Sequence, residues 1–500
     1  PTNYKSWNTV NVSANPDISL SPEQRSLKKF ATSDQNLDQI QGALIIEGGR
    51  SEVDRSFAAP ILLPGERNKP RESELLTTNE WEDIDSLTIF HTDNLDADTG
   101  LLSYRETTTG ELILSNPGLA LSGFGMGGEM QINEGTDENP IWRYYGGGIT
   151  FNGFETTEIL LGKGDESLVV GTTADRDEKN TTLTDITDPR SILAIHGGGG
   201  SDTITIQDRG EGALLVYGDT SADGERYSNT SGDASSSGTS FNNPGNDVID
   251  ASAMAVKDDG FVGVIIDGGE GNDTIKGSQG ADQLTGNTGD DSVSGEAGND
   301  HIYGDAGFQV NLRLFAQDQQ PNRRVQNYGL GDDEAMFTIL TTPEPGSDSL
   351  SGGDGADLIL GDHGVISLAS GIRRINSTNG VERIETTVES KGGSDTIDGG
   401  GGNDILLGGH QGDRIADLQG DNIIIGDHGF IDFVIADKNH SDIDLIESTS
   451  TTANGGADTI TSGAGNDIVI GGRFGDIINS GGGGVFATPT NPTTDGDIVI

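Results

Sequence analysis

The sequence predicts an all-β solenoid assembled from nine-residue units, and three observations predict it. The first is the stretch from Gly268 to Gly307, GGEGNDTIK-GSQGADQLT-GNTGDDSVS-GEAGNDHIY-GDAG, which holds four nine-residue units in tandem and the start of a fifth. The second is composition. With 77 glycines and only 5% aromatic residues, the chain lacks material for a wide core but has enough for a thin apolar file. The third is a series of short β-type runs, among them ALIIE, APILL, SLTIF, GELIL, GGGITF, TEILLG and SLVVG, separated by Gly, Asn, Asp and Pro turn signals.

Each unit has glycine at place one (Gly268, Gly277, Gly286, Gly295) and at place four (Gly271, Gly280, Gly289, Gly298). Place six is aspartate (Asp273, Asp282, Asp291, Asp300), and place eight is apolar (Ile275, Leu284, Val293, Ile302). Nine residues divide into a six-residue turn and a three-residue strand. Only the middle side chain of such a strand points inward, which accounts for one apolar residue per unit. Glycines let the turn take positive φ and bring its carbonyls together. A carboxylate at a fixed place then projects beside those carbonyls, and Ca²⁺ takes six to eight such oxygens at about 2.3–2.6 Å. If two units make one coil, Asp273 sits over Asp291 on one edge and Asp282 over Asp300 on the other.

These units resemble the RTX (repeats-in-toxin, hemolysin-type) calcium-binding nonapeptide GGxGxDxUx. The resemblance implies a parallel β-roll, a β-solenoid with multiple Ca²⁺ ions held between successive turns by the aspartates and turn carbonyls. It is specific over residues 197–303 and 346–500, and weaker over 150–196. Carried to matching positions, it adds Asp202 (GGGGSDTIT), Asp247 (PGNDVID), Asp348, Asp357, Asp395, Gly399, Gly402, Asp404, Asp413, Asp458, Asp467 and Asp476 as candidate metal ligands. In GGHQGDRIA and GGRFGDIIN the glycine of place four comes one residue late, before Asp413 and Asp476. A weaker unit places Gly162 and Gly164 at places two and four, Glu166 at place six and Leu168 at place eight; glutamate there favours packing over metal binding.

A longer repeat overlies the short one. Gly304–Gly307, Gly361–Gly364 and Gly426–Gly429 are copies of GDxG, adding Asp305, Asp362 and Asp427 as candidate ligands. Each opens a stretch of its own; residues 365–387 and 430–450 alternate apolar and polar side chains like β-hairpins. The expected order is therefore a polar lead-in (1–40, with at most a helical turn near Ser21) and a β-rich region (41–150, a small sandwich or an irregular solenoid cap). Degenerate then regular repeats follow (151–303), with an exposed loop at 220–242. Hairpin insertions at 304–345, 365–390 and 430–453 then alternate with repeat blocks at 346–364, 391–429 and 454–500. The final GDIVI parallels GDNIII at 420–425, so a further GDxG is expected to follow in a longer parent protein.

The chain has 81 acidic against 29 basic residues, a formal net charge of −52. Nucleic acid and anionic lipid are repelled by such a surface. No run of apolar residues is long enough to span a membrane as a helix. There is no cysteine, so a secreted chain of this size needs a staple other than disulfides, and bound metal supplies one. No HExxH, GxSxG, Walker loop or helix-opening GxGxxG is present. His363 and His428, in the GDHG turns, read as turn residues. The expectation is a non-enzymatic, extracellular or cell-surface, calcium-binding structural or adhesive segment: a stalk, surface layer or filament unit. Its possible partners are other copies of itself or cell-surface glycans. The alternatives are the non-catalytic region of a secreted RTX enzyme or toxin, and a glycan- or partner-binding module of an adhesin.

Overall fold

The computed structural model describes residues 8–12, 35–47, 66–68, 85–105, 108–109, 112–113, 118–133, 136, 138–154, 156–171, 192–210, 212–220, 244–256, 262–305, 345–368, 378, 380–435, 439, 441–451, 453–480 and 498–499. The helical turn at 21–30, the APILL run, the loop at 220–242 (but for Thr220) and most of the insertion at 304–345 lie outside them. Among the described residues every regular element is a strand. The chain divides into two compact units. One holds Pro1–Phe57, Leu76–Gly245 and Asn311–Gln319; the other holds Ala58–Leu75, Asn246–Val310 and Gln320–Ile500.

In the first unit, Asp85–Phe90, Thr156–Leu160, Ile192–His196 and Ala213–Tyr217 form consecutive parallel pairs. A second file sets Thr99–Arg105, Ser167–Val170 and Thr203–Ile206 in parallel register. The coiled path is therefore established well before residue 150, with strands of four to seven residues in place of three. One departure belongs to this region. Gly118–Gly123 runs antiparallel to both Thr99–Arg105 and Ile149–Asn152, folding a hairpin-like excursion into the sheet. Within this unit, parallel stacked strands are thus interrupted by one antiparallel excursion. The unit's sequence hides the nine-residue period because the strands are longer.

In the second unit the nine-residue period recurs between the insertions. One sheet runs in parallel register from Val248–Asp250 through Thr274–Lys276, Ser292–Ser294, Ser349–Asp354, Thr396–Gly401, Arg414–Gln419 and Thr459–Ala464 to Ile477–Asn479. The facing file runs from Ile265–Glu270 through Gln283–Thr288, His301–Tyr303, Leu358–Leu360, Ile405–Leu407, Ile423–Ile425 and Ile468–Ile470 to Ile498–Val499. Place-eight side chains alternate between the two sheets and fill the space between them. Ile275, Leu284, Val293, Ile302, Leu350, Ile359, Ile397, Leu406, Ile415, Ile424, Ile460 and Val469 are each no more than 2% exposed. Burying each such side chain contributes roughly 1.5–3 kcal/mol, enough to hold a coil only when its neighbours are in place.

The coils continue through the insertions. Ser292–Ser294 pairs directly with Ser349–Asp354, and His301–Tyr303 with Leu358–Leu360, although residues 306–344 intervene. The reason lies within one unit. Each Gly-Asp of a GDxG supplies places one and two, the insertion follows, and places four to nine resume with Gly346, Gly393 or Gly456. The repeat blocks on either side of an insertion are therefore successive coils of one stack. The insertions also meet one another. Gly364–Leu368 pairs antiparallel with Val381–Thr386, Val381–Thr386 with Gly429–Asp432, and Gly429–Asp432 with Leu445–Ser448, making a lateral sheet. Arg383 fastens it, lying 3.8 Å over the Phe430 ring and bonding Asp432 at 3.2 Å.

Candidate metal centre

The place-six aspartates form two vertical files, and the same hydrogen bond joins each to the next. On one edge the Oδ1 of Asp273 accepts the backbone N–H of Asp247 at 2.7 Å, and Asp291 accepts that of Asp273 at 2.8 Å. Asp348, Asp395, Asp413, Asp458 and Asp476 continue the series at 2.8–3.0 Å. On the other edge Asp282 accepts from Val264, Asp300 from Asp282, Asp357 from Asp300, and Asp404 from Asp357, all within 2.7–2.8 Å. The first unit contains one such step, with the Glu166 N–H donating to Asp202 Oδ1 at 2.7 Å. Sequence steps of 57, 47 and 45 residues close the same bond as steps of 18.

This arrangement uses one carboxylate oxygen and leaves the other. The Oδ2 atoms of Asp273, Asp291, Asp300, Asp348, Asp357, Asp395, Asp404, Asp413 and Asp458 are buried without a hydrogen-bond partner. Each of these residues is at most 3% exposed. An ionised oxygen held in that state costs several kcal/mol unless a cation compensates it. The place-one glycines lie against these oxygens. A Cβ on Gly277 would lie 2.5 Å from Asp282 Oδ2, which here also accepts the Ser278 N–H, and 2.6 Å from the Gly295 carbonyl oxygen. Gly268, Gly295, Gly304, Gly352, Gly361, Gly408 and Gly426 repeat the pattern, each facing a place-six Oδ2 and a glycine carbonyl of the next coil. Carboxylate and carbonyl oxygens converging on a space kept open by a missing side chain are the donor set that a hard divalent cation takes. Among the described residues no three His, Cys, Asp or Glu side chains gather at one point, so carbonyls must supply most of any coordination shell.

The same burial shows in the acid strengths. Desolvation pushes Asp273 up to about 7 and, with smaller effects from neighbouring carboxylates, Asp357 and Asp458 up to about 7 and Asp291 to about 9. Asp300, Asp348, Asp395 and Asp413 move in the same direction for the same first cause. Without metal, a carboxyl raised in the fold favours folding fully below its unfolded value near 4 and loses that contribution as pH rises through the folded value. The chelated protein should accordingly lose strand signal by circular dichroism between about pH 5 and pH 9. Calcium, which displaces the proton, should restore it at the alkaline end and bind more tightly as pH rises.

Several expected ligands make further hydrogen bonds. Asp362 accepts the N–H of Gly393 at 2.8 Å on one oxygen and the N–H of His410 on the other. Asp427 likewise accepts from Gly456 at 2.7 Å and from Arg473. With donors on both oxygens, these two GDxG aspartates act as brackets that close the turn across an insertion. Asp305 makes the first of these bonds, to the Gly346 N–H at 2.9 Å, and its Oδ2 lies 3.8 Å from His363 Nδ1. His428 is fully buried and its imidazole is pushed down to about 4 by desolvation, which keeps it neutral at the root of the last insertion. Asp247 and Asp467 are buried, and Asp476 is half-buried. Glu166, read from sequence as packing, stands in the aspartate place with only 2% exposure, pushed up to about 7 by burial.

Other contributors were missed from sequence. Asn422 occupies place six between Asp404 and Asp467, accepting the Asp404 N–H at 3.0 Å. Place five builds a second ladder in the opposite sense. Asn272 Oδ1 accepts the Asp290 N–H, Asp290 that of Ser347, Asn403 that of Asp421, and Asp421 that of Asn466, at 2.8–3.1 Å. The Asn, Asp or Ser that precedes many of the place-six residues, as at Asn272, Asp290, Ser347, Asn403, Asp421 and Asn466, was the available signal.

Comparison with known proteins agrees with this geometry. The family model for the RTX calcium-binding nonapeptide repeat (4 copies) matches residues 265–293, 276–308, 344–365, 387–415 and 452–484. No curated protein matches the chain. The matched repeats are a calcium-binding, non-catalytic kind of domain. The chain thus carries RTX calcium-binding nonapeptide repeats at residues 265–308, 344–365, 387–415 and 452–484.

Proposed function

We propose that this chain is a calcium-stiffened structural segment of a secreted or cell-surface protein, serving as part of a stalk, surface layer or filament. The observation that supports it is the file of buried Oδ2 atoms lacking a donor, most of them beside a glycine carbonyl. The place-six aspartates hold Ca²⁺ between coils, and the ion supplies the charge compensation that the thin core does not. In the low calcium of a cytosol the acidic repulsion of a chain with a net charge of −52 opposes compaction. At the millimolar calcium found outside cells the sites fill and binding adds directly to folding stability. The absence of cysteine fits a chain stapled by metal.

Limited proteolysis of the 500-residue chain tests the reading. In millimolar Ca²⁺ large fragments from residues 246–500 should persist, while in chelator or Mg²⁺ alone the same region should be degraded throughout. Identical digestion patterns in calcium and chelator would refute it.

A further inference from the structure

The unit at residues 417–425, DLQGDNIII, departs from the pattern twice, and the departures complement each other. Place one is Asp417 where neighbouring units have Gly399, Gly408 and Gly426; place six is Asn422 where they have aspartate. The family match stops at residue 415 and resumes at 452, so this unit lies outside it. Resting on the calcium reading above, we propose that Asp417 and Asp404 together form a two-carboxylate calcium site, tighter than its neighbours, while the place of Asn422 takes no ion.

The geometry of the Gly399 cradle carries the first half. In the coil before, the space over Gly352 is bounded by one carboxylate oxygen, Asp357 Oδ2, and the Gly399 carbonyl. Over Gly399 the side chain of Asp417 takes the position of that carbonyl. A Cβ there would strike Asp417 Oδ2 and lie 3.0 Å from Asp404 Oδ2. Asp417 is 0% and Asp404 1% exposed, and neither Oδ2 has a hydrogen-bond partner. Asp417 Oδ1 receives only a long bond, 3.4 Å, from the Gln419 N–H. Two buried carboxylate oxygens aimed into one space match the two charges of Ca²⁺, where the other cradles offer one. Ligand charge count is a main determinant of calcium affinity.

Asn422 carries the second half. Its Oδ1 keeps the ladder bond from the Asp404 N–H at 3.0 Å, and its Nδ2 donates to the Gln419 carbonyl at 3.3 Å. The atom that replaces the orphaned Oδ2 is thus a donor with its own acceptor. It brings no charge and consumes a turn carbonyl that a cation would need.

Calcium isotherms of the full chain, wild type against Asp417→Asn, Asp417→Gly and Asn422→Asp, test this with the metal alone as probe. Wild type should show one ion bound more tightly than the rest. Asp417→Asn should lose that phase by about tenfold or more in affinity while the weaker sites keep their count. Asp417→Gly, which restores the glycine of the neighbouring units, should do the same and guards against a folding defect peculiar to the amide. Asn422→Asp should add one ion. Superimposable isotherms for wild type and both Asp417 variants would overturn the proposal while leaving the general calcium reading intact. So would an Asp417→Asn chain that is more stable in chelator yet binds calcium unchanged, the result expected of an acid pair that merely shares a proton. A wild-type chain that binds no calcium would instead overturn the general reading.

Discussion

Gly402→Ala should destabilise the calcium-bound protein by about 3 kcal/mol or more and weaken calcium binding with it. Gly402 has φ +146°, in the range that a Cβ penalises, and its added methyl would be driven onto the Gly355 carbonyl of the previous coil. The obstacle is backbone on both sides, so no rotamer relieves it. The contact recurs through the stack, from Gly298 to Gly355, Gly402, Gly420 and Gly465, each place-four glycine resting on the carbonyl of the one before. Displacing one of these carbonyls therefore strains successive coils of the stack. The measurement is thermal unfolding in saturating calcium, paired with a calcium isotherm. Gly475, with nothing within 4 Å of its Cβ position, is the control expected to accept alanine within about 0.5 kcal/mol.

Asp300→Asn should move stability in opposite directions with and without metal. Asparagine keeps the oxygen that accepts the Asp282 N–H at 2.7 Å and removes the buried, uncompensated Oδ2 charge. Asn422 shows that the stack accommodates the amide at this place. In chelator the variant should be more stable by about 1–3 kcal/mol at neutral pH. In calcium it should bind one ion fewer and be less stable than wild type. Asp300→Ala, lacking the acceptor as well, should be worse in both conditions. Denaturant melts of the three chains in chelator and in calcium give the full comparison.

The place-eight file and the stacking of Asp273 on Asp291 were legible because a strict period converts directly into stacking when every unit has the same length. What escaped had no such regularity. Asn422 carries the same hydrogen bond as its aspartate neighbours, but its amide looks like a lost ligand when only the letters are seen. Asp417 falls at a place where glycine is the rule, and only the coil geometry reveals that it faces Asp404. The turn-closing bonds of Asp362 and Asp427 were not legible, because their donors, Gly393 and Gly456, lie beyond an insertion. GGHQGDRIA and GGRFGDIIN lack the fourth glycine, but Gln411 and Phe474 take φ of 71° and 73° there, so the turn survives at a strain of order 1 kcal/mol. In residues 85–170 the longer strands obscured the period, leaving only β texture to read.

The central claim is that calcium, by compensating the buried carboxylates, makes the second unit fold. Far-ultraviolet circular dichroism of the chain during a calcium titration from chelator, with magnesium as control, tests it most directly. The account predicts a cooperative gain of strand signal specific to calcium, complete by millimolar concentration and reversed by chelator. A spectrum already rich in strand in chelator at neutral pH, and unmoved by calcium, would contradict it.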